Sequence, residues 1–531
     1  MTPPPTSSVE VFDTTLRDGL QVEGVSASVD DKLRIAEQLD HLGVHYIEGG
    51  WPGANPKDIE FFRRAGGELA LSTSTLVAFG STRRPRGKVD DDATLRNLVE
   101  AGTSAVCIVA KSSEYQVVEA LQSTLDEGAA MIADSVEFLR GAGRMVLVDL
   151  EHFFDGYKEN PEFSLRAIEA AVVNGASHLV LCDTNGGTLP DEVGRIVADV
   201  MSHVRDDATI GIHCHDDTGC AVANSMAAVA AGARHVQGTL NGLGERTGNT
   251  NLTTVIPNLQ LKLGYECLPD GRIERLTAVS HHVAETLNRA VNPQAPYVGS
   301  SAFAHKAGLH VSAIARAKDA YEHVNPELVG NGTRFVVSEM AGRATIEMKA
   351  AELGIELDGA TVNQIVDDLK RLEYEGYHFE AADASLELLM RRAAGAVPEF
   401  FRVESMRVIT DELPNGDFNT EATVKVWVGA DGDAERHVYV AEGNGPVNAI
   451  DTALRKAVGR ALPNLADIHL TDFKVRILDG GSATGATTRV LLSATDGERD
   501  WTTIGVSPNI IEASWRALED SLVYGLLDTN S

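Results

Sequence analysis

The sequence predicts an α/β fold, a (β/α)8 barrel followed by a helical connecting region and a C-terminal α+β domain. Three observations predict the barrel. Short β-branched runs alternate with longer helical segments from about Val9 to about Gly264, the alternation repeats eight times, and polar residues recur directly after the predicted strands. Strands that alternate with helices form parallel βαβ units, and eight units over roughly 250 residues have the size of a closed barrel.

The eight predicted strands are short apolar runs, and helical periodicity with exposed charge marks the segments between them, such as 28–42 and 191–204. In chain order the strands are 9–13, 44–48, 69–73, 105–109, 145–150, 178–182, 209–213 and 235–239. A doubly wound open sheet is the alternative fold. The barrel is favoured because it brings all the post-strand polar residues to one mouth, whereas an open sheet leaves several of them far apart.

Beyond the barrel, residues 274–395 read as mostly helical, with loops at 292–301 and 325–333. The pattern then changes to strands and helices in two successive β-then-α blocks, which favours a separate α+β domain with internal duplication. Its predicted strands are 403–409, 422–428, 436–441, 473–477, 487–494 and 499–506, and its predicted helices are 445–458 and 509–524. We therefore expect a catalytic barrel at 1–273, a connecting region at 274–400 and a regulatory domain at 401–531.

Composition excludes several classes of protein. The 531 residues exceed one usual core, which agrees with more than one domain. Lys and Arg number 46 against 77 Asp and Glu, and the resulting net charge of −31 disfavours nucleic acid or an anionic membrane as a partner. No apolar run approaches the roughly 20 residues of a membrane span.

Two further features point to the cytoplasm. Residues 1–8 are rich in proline and serine, without the basic and apolar regions of a secretory signal, and predict a short disordered tail. The chain has five cysteines, an odd number without a close Cys-x-x-Cys pair, which is typical of a reduced compartment.

Two histidines mark the strongest candidate site. In segment 211–217 (GIHCHDD) His213 and His215 stand at i and i+2, so on a strand both imidazoles point to one face and Cys214 points away. Asp18, after the first predicted strand, is the natural third ligand. Two imidazoles and a carboxylate suit a divalent metal with open positions, although a strand histidine is often only a satisfied core residue and the carboxylate of Asp18 could simply cap a turn.

Three more residues follow predicted strands and carry useful chemistry. Arg17 could donate to a substrate carboxylate or to a developing oxyanion, or could form a surface ion pair. Glu151 could orient or deprotonate a substrate, or hold a loop. Thr184 could bind substrate, or belong to the turn 183–187 (DTNGG).

Two glycine-rich loops could approach a ligand closely. Segment 241–249 follows the eighth predicted strand, but it lacks the context of a dinucleotide or P-loop motif. Segment 480–485 (GGSATG) lies in the C-terminal domain, where it could bind a ligand or form a hairpin.

Five motifs are spread over nearly the whole chain: 13–21 (DTTLRDGLQ), 213–219 (HCHDDTG), 242–249 (GLGERTGN), 307–310 (AGLH) and 479–485 (DGGSATG). Taken together, these motifs resemble the family of α-isopropylmalate, citramalate and homocitrate synthases, which condense acetyl-CoA with an α-keto acid. Segments 48–58 and 151–158 look most like its longer bacterial citramalate synthases.

The resemblance implies a TIM barrel and assigns roles to the matching residues. Asp18, His213 and His215 would hold a divalent ion (Mn, Mg, Zn or Co), with Asn249 nearby. Arg17 and Thr184 would contact the keto acid. The proton transfer at the acetyl group would involve Glu151, His310 and Tyr321. The regulatory loop would include Gly480, Gly481, Ala483 and Gly485.

The resemblance also implies an activity and partners. Acetyl-CoA, pyruvate and water would give (R)-citramalate and CoA in isoleucine biosynthesis, with isoleucine as feedback effector and a homodimer as the assembly. The alternative within the family is 2-isopropylmalate synthase, which uses 2-oxoisovalerate. Three other functions are less favoured. A C–C lyase would not need the additional C-terminal domain, and a two-histidine, one-carboxylate iron oxygenase disagrees with the βα alternation. A catalytically silent amino-acid sensor disagrees with the intact polar residues.

Overall fold

The computed structural model describes residues 8–204, 208–305, 313–314, 317, 320–335, 342–429, 434–478 and 485–527. The chain divides into two compact units. Unit 1 comprises Met1–Phe303 and Glu322–Thr333, and unit 2 comprises Ala304–Tyr321 and Arg334–Ser531. Among the described residues, no helix combines the length and the apolar character that crossing a membrane requires.

Unit 1 is a closed parallel barrel, which confirms the predicted fold and excludes the open sheet. The first strand pairs with both the second and the eighth, and the remaining strands pair in sequence order. The strands are β1 Glu10–Asp13, β2 Tyr46–Gly50, β3 Thr75–Ser81, β4 Ala105–Lys111, β5 Met145–Glu151, β6 His178–Asp183, β7 Thr209–Cys214 and β8 His235–Gly238.

The predicted position of the third strand, 69–73, is wrong. The strand begins only at Thr75, because the carboxylate of Asp40 on the first helix accepts hydrogen bonds from the backbone N–H groups of Ser72, Thr73 and Ser74. Those bonds hold residues 72–74 in a tight bend, so their N–H groups cannot join a sheet. The apolar side chains at 69 and 71 pack against the core from outside the barrel.

The helices of unit 1 cover the outside of the barrel. Their first turns are stabilised by side-chain caps: Ser28 and Asp31 form a reciprocal capping box, and Asn55 and Asn160 each accept a hydrogen bond from a backbone N–H three residues later. The helices are α1 Val29–Leu42, α2 Pro56–Glu68, α3 Ala93–Glu100, α4 Leu125–Gly141, α5 Phe153–Glu159, α6 Pro161–Val173, α7 Pro190–His203, α8 Ala221–Ala230, α9 Leu252–Pro257 and α10 Leu276–Thr286.

Side chains fill the interior of the barrel in layers, because alternate residues of each strand point inward. The middle of the barrel is apolar and is formed by Phe12, Tyr46, Val77, Phe79, Ala105, Cys107 and Leu147. Polar layers lie on both sides of it: one contains the predicted site residues at the C-terminal ends of the strands, and the other lies at the N-terminal ends. Cys214 faces outward into the apolar core, as predicted.

Unit 2 contains helices and two three-stranded antiparallel sheets, as predicted for this part of the chain. Helices within 343–393 share an apolar core with Ile504 and Val506, and a second core is formed by the two sheets with their helices. The strands are β9 Ala304–His305, β10 Arg334–Phe335, β11 Phe401–Glu412, β12 Phe418–Val428, β13 Glu435–Gly443, β14 His469–Ile477, β15 Thr488–Thr495 and β16 Asp500–Ser507. The helices are α11 Arg343–Glu352, α12 Gly359–Tyr374, α13 Asp383–Ala393, α14 Pro446–Val458 and α15 Ile510–Leu527.

Candidate active site

Barrel closure brings Asp18, His213 and His215 together. One ligand atom from each of the three side chains lies within 4.8 Å of the others. Oδ2 of Asp18 is 3.5 Å from Nε2 of His213, and the two imidazole rings lie with their centroids 5.3 Å apart. Asp18 follows β1 in a turn and His213 lies in β7, so the cluster is at the C-terminal mouth of the barrel, where enzymes of this fold carry their sites.

The electrostatics of this cluster favour a cation. Burial would raise the pKa of Asp18, but the guanidinium of Arg17 and the imidazole of His213 hold it well below its usual range. Burial and the neighbouring His213 lower the pKa of His215 to about 4, so this imidazole is neutral and offers lone pairs. Asp18 therefore offers a carboxylate and His215 a neutral nitrogen, whereas at His213 burial opposes the charge but the carboxylate of Asp18 outweighs it and raises the pKa.

The donor set fits a divalent metal. Nδ1 of His215 and Oδ1 of Asn249 are both buried without a hydrogen-bond partner among the described residues. His215 and Asn249 form an isolated β-bridge, while Nδ2 of Asn249 donates to the carbonyl oxygen of Leu243, which turns the amide oxygen away from that contact. Buried acceptors without donors are costly, and a cation close to Asp18 would satisfy them.

A layer of side chains below the cluster fixes the orientation of His213. Its Nδ1–H donates to Oε1 of Gln237 at 2.8 Å, and Nε2 of Gln237 donates to Oδ1 of Asp149 at 2.9 Å. Burial raises the pKa of Asp149. Because the amide oxygen can only accept, Nδ1 of His213 carries the proton and Nε2 is left free for a metal, the usual arrangement behind a histidine ligand.

Arg17 is held rigidly beside this cluster. Its Nε donates to Oε2 of Glu48 at 2.6 Å, its Nη1 is 3.3 Å from Oδ2 of Asp18, and its guanidinium lies 3.9 Å from the ring centroid of Phe79. Burial works against the charge, but the carboxylates of Glu48 and Asp18 outweigh it and raise the pKa of Arg17. The side chain is a permanent cation at the mouth.

Glu151 and Thr184 lie at the ends of neighbouring strands. The carboxylate of Glu151, the last residue of β5, forms an ion pair with the ammonium of Lys111 at the end of β4. Oγ1 of Thr184 accepts a hydrogen bond of 2.8 Å from the backbone N–H of His152, so its own proton stays available as a donor. His152 has a positive φ of 55°, which turns the chain sharply after Glu151.

Four residues of the site were missed at the sequence level: Glu48, Lys111, Asp149 and Gln237. Glu48, Asp149 and Gln237 lie in predicted strands, and Lys111 is the second residue after one. All four are polar and lie on the inward-facing side. The usable signal was the period-2 pattern, since a polar residue at an inward position of a buried strand needs a partner.

The remaining predicted site residues all belong to unit 2. His310, Gly480, Gly481 and Ala483 fall outside the described residues. Tyr321 is described, belongs to unit 2, and exposes half of its surface. Gly485 is described, and a Cβ added there would meet no atom within 4 Å.

Family models match the chain in three consecutive parts. Residues 8–283 match HMGL-like, residues 297–376 match "Homocitrate synthase post-HMGL domain-like", and residues 380–526 match "LeuA allosteric (dimerisation) domain".

Curated relatives are similar over nearly the full length. An "(R)-citramalate synthase" of Streptomyces coelicolor is 53% identical over 523 residues, covering 98% of this chain and 97% of that protein. An "(R)-citramalate synthase" of Aquifex aeolicus is 50% identical over 98% of both chains. A "Probable 2-isopropylmalate synthase" of Methanopyrus kandleri is 33% identical over 96% of both chains.

Proposed function

This chain belongs to the HMGL-like family and, within it, to the (R)-citramalate synthases, a group of metal-dependent acyltransferases; from this premise we propose that it condenses acetyl-CoA with pyruvate and water to give (R)-citramalate and CoA. The observation that carries the proposal is the cluster of Asp18, His213 and His215 beside the fixed cation of Arg17. Such a cluster suits a 2-oxo acid, whose keto oxygen and carboxylate can bind a metal together.

Each residue of the site has a separate role in the reaction. Asp18, His213 and His215, with Asn249 beside them, would hold a divalent ion, which supplies Lewis-acid polarisation of the keto oxygen when bound. Arg17 offsets the negative charge that develops on that oxygen, and because Glu48 and Phe79 hold its guanidinium, no reorganisation is needed. The hydroxyl of Thr184 donates a hydrogen bond to the keto acid.

A base must remove a proton from the acetyl methyl group. We assign this role to Glu151 acting with His310, and Tyr321 completes the proton-transfer group. Lys111 orients the carboxylate of Glu151 through their ion pair. The enolate then attacks C2 of pyruvate, and water hydrolyses the resulting thioester to release CoA. Because the methyl proton is weakly acidic, positioning and the exclusion of water matter as much as the strength of the base.

Release of free CoA thiol tests this activity directly. Acetyl-CoA is mixed with a panel of 2-oxo acids, and we expect the highest kcat/KM with pyruvate. His213→Ala and His215→Ala should each abolish turnover at limiting metal, because either change removes one of three ligands. Near-normal activity in either variant would contradict the metal assignment, and thiol release without any 2-oxo acid would indicate simple hydrolysis.

The second candidate substrate is 2-oxoisovalerate, because a "Probable 2-isopropylmalate synthase" is 33% identical to this chain. The two substrates differ by two methyl groups, each worth about 1–3 kcal/mol in a pocket. A kcat/KM for 2-oxoisovalerate above that for pyruvate would overturn the choice of pyruvate.

We propose isoleucine as feedback effector, which places the reaction in isoleucine biosynthesis. The match of residues 380–526 to a LeuA allosteric domain supports a regulatory role for residues 401–531, with the barrel at 1–273 catalytic and 274–400 connecting them. Truncation near residue 400 is a poor test, because Ala384 and Leu388 share a core with Phe401 and the cut would expose it.

A substitution in the regulatory loop is the sharper test. Gly485→Val adds a side chain into open space, so it should raise the isoleucine concentration for half-inhibition at least tenfold by filling the effector site. The ratio of the inhibited to the uninhibited rate, measured over a series of isoleucine concentrations, gives the concentration for half-inhibition. Gly445→Val, also in open space and in an extended conformation, is the matched control. An unchanged inhibition curve for Gly485→Val would argue against this loop.

We also propose a cytoplasmic homodimer. The name of the matched C-terminal domain model supports dimerisation, and five unpaired cysteines support a reducing compartment.

A further inference from the structure

A second group of two imidazoles and one carboxylate lies at the opposite end of the barrel. Glu10 opens β1, His178 opens β6 and His235 opens β8, and Glu10 is the direct register partner of His235. On β7, the register partner of His178 is Thr209, four residues before the catalytic His213. At about 3.3 Å per residue the two groups are about 13 Å apart along the strands, so they form separate sites.

The three side chains converge on one point. Oε2 of Glu10 is 2.7 Å from Nε2 of His178 and 3.5 Å from Nδ1 of His235. One ligand atom from each residue lies within 4.8 Å of the other two. His235 is fully buried, whereas the side chain of Glu10 is 30% exposed, so water can reach the carboxylate side of the group.

The hydrogen bonds behind His178 fix a proton on its Nδ1. Oγ of Ser177 lies 3.0 Å from the carbonyl oxygen of Val146 and 2.9 Å from Nδ1 of His178. A hydroxyl has one proton, so the arrangement that satisfies both contacts has Ser177 donating to Val146 and accepting the Nδ1–H of His178. Nε2 of His178 then points at Oε2 of Glu10, 2.7 Å away, and this contact needs either a second proton or a cation beside the two atoms.

The electrostatics of Glu10 and His235 agree with a cation. Burial opposes the charge on Glu10, but the two imidazoles hold its pKa well below the usual range. Burial lowers the pKa of His235 to about 4, which keeps this imidazole neutral. Nδ1 of His235 makes only a long contact of 3.5 Å with Oε2 of Glu10, and Nε2 of His235 has no hydrogen-bond partner among the described residues. A cation at the common point would replace that long contact.

We propose that Glu10, His178 and His235 form a second metal site, for a first-row transition cation such as Zn²⁺, that closes the N-terminal end of the barrel. Two nitrogen ligands and one carboxylate oxygen, with water as the fourth ligand from the exposed side of Glu10, complete a tetrahedral set. The hydrogen bond from His178 to Ser177 is the second contact that fixes a metal-bound imidazole. The ion would link β1 and β8 to β6, which is not their neighbour, and would stabilise the closed barrel.

The number of bound ions tests the proposal on the full-length protein. After equilibrium dialysis against micromolar Zn²⁺, the unchanged chain should retain two ions. A chain carrying Asp18→Ala and His215→Ala, which dismantle the catalytic cluster, should retain one. Adding Glu10→Gln or His178→Gln to that background should weaken the remaining zinc at least tenfold. Co²⁺ should report the same site through its visible absorption spectrum, which is intense only for tetrahedral coordination.

Controls separate loss of a ligand from loss of fold. Glu10→Gln alone, in a chain with an intact catalytic cluster, should retain one zinc and its thiol-release activity. His45→Asn is the matched control, because Nδ1 of His45 already accepts the backbone N–H of Val11 and an asparagine oxygen can replace it. If the Asp18→Ala, His215→Ala chain retains no zinc, or retains it after both Glu10→Gln and His178→Gln, the three residues are only a hydrogen-bonded clamp and the proposal is wrong.

Discussion

At the scale of single residues, the orientation of a few side chains decides what the site can bind. The amide of Gln237 lies between His213 and Asp149, fully buried, and its oxygen fixes the proton of His213 on Nδ1. Arg17 is oriented in a similar way by Glu48. These polar residues below the mouth contact the functional groups directly, so they limit the geometries in which those groups can act.

Replacing Gln237 should weaken metal binding without disturbing the barrel. Gln237→Met keeps the volume but removes the acceptor for the Nδ1–H of His213, so we expect 10- to 100-fold weaker binding of Co²⁺ or Mn²⁺. Asp149→Asn is the matched control, because its amide oxygen can still accept from Gln237, and we expect less than a threefold change. Metal titration gives the affinities, and thermal unfolding of the metal-free chains checks the fold. Equal affinities for the two variants would argue against an orienting role.

At the scale of elements, one carboxylate decides where β3 begins. Asp40 is the third residue from the end of α1, and its carboxylate accepts backbone hydrogen bonds from residues 72–74 as well as the hydroxyl of Ser72. Burial opposes the charge, but these donors outweigh it and lower the pKa of Asp40 below 3.8. The helix and the following strand are therefore joined by a charged contact.

Asp40→Asn should destabilise unit 1 by about 2 kcal/mol at neutral pH, the usual worth of hydrogen bonds to a charged group. Because the folded-state pKa of Asp40 is depressed, its contribution is present above pH 3.8 and is lost as the pH falls through the lower folded-state value. In urea unfolding, the difference in free energy of unfolding between the variant and the unchanged chain should stay constant from neutral pH down to about pH 3.8. Below that pH the difference should shrink. Glu37→Gln, at an exposed position of the same helix, should stay within about 0.5 kcal/mol.

At the scale of the whole molecule, the sheet of β14, β15 and β16 carries an apolar row that the described helices of unit 2 leave partly exposed. Phe473 and Val475 on β14 pair with Leu492 and Val490 on β15, so all four side chains lie on the same face. Leu492 and Val490 are fully buried, whereas Phe473 and Val475 expose 40% and 45% of their surface. An incomplete core of this kind is typical of an interface, and the match to a dimerisation domain model makes a second copy of this chain its expected partner.

Charges placed in this row should dissociate the proposed homodimer. Phe473→Glu with Val475→Glu buries two like charges without partners in the interface, so sedimentation velocity should show at least a tenfold weaker dimer. Arg476→Glu changes the charge on the opposite face of the same strand and should leave the dimer intact. A dimer that survives the double substitution would place the interface elsewhere.

Local patterns in the sequence determined the barrel, most of its strands and the pairing of His213 with His215, because periodicity and turn chemistry are properties of neighbouring residues. Only the tertiary structure decided the contacts between strands that are distant in the sequence. The start of β3 depended on Asp40, more than 30 positions away. The partner of Gln237 lies 88 positions away, and that of Glu10 lies 168 positions away. Only barrel closure, which brings the strand ends within hydrogen-bonding distance, makes such pairs physical neighbours.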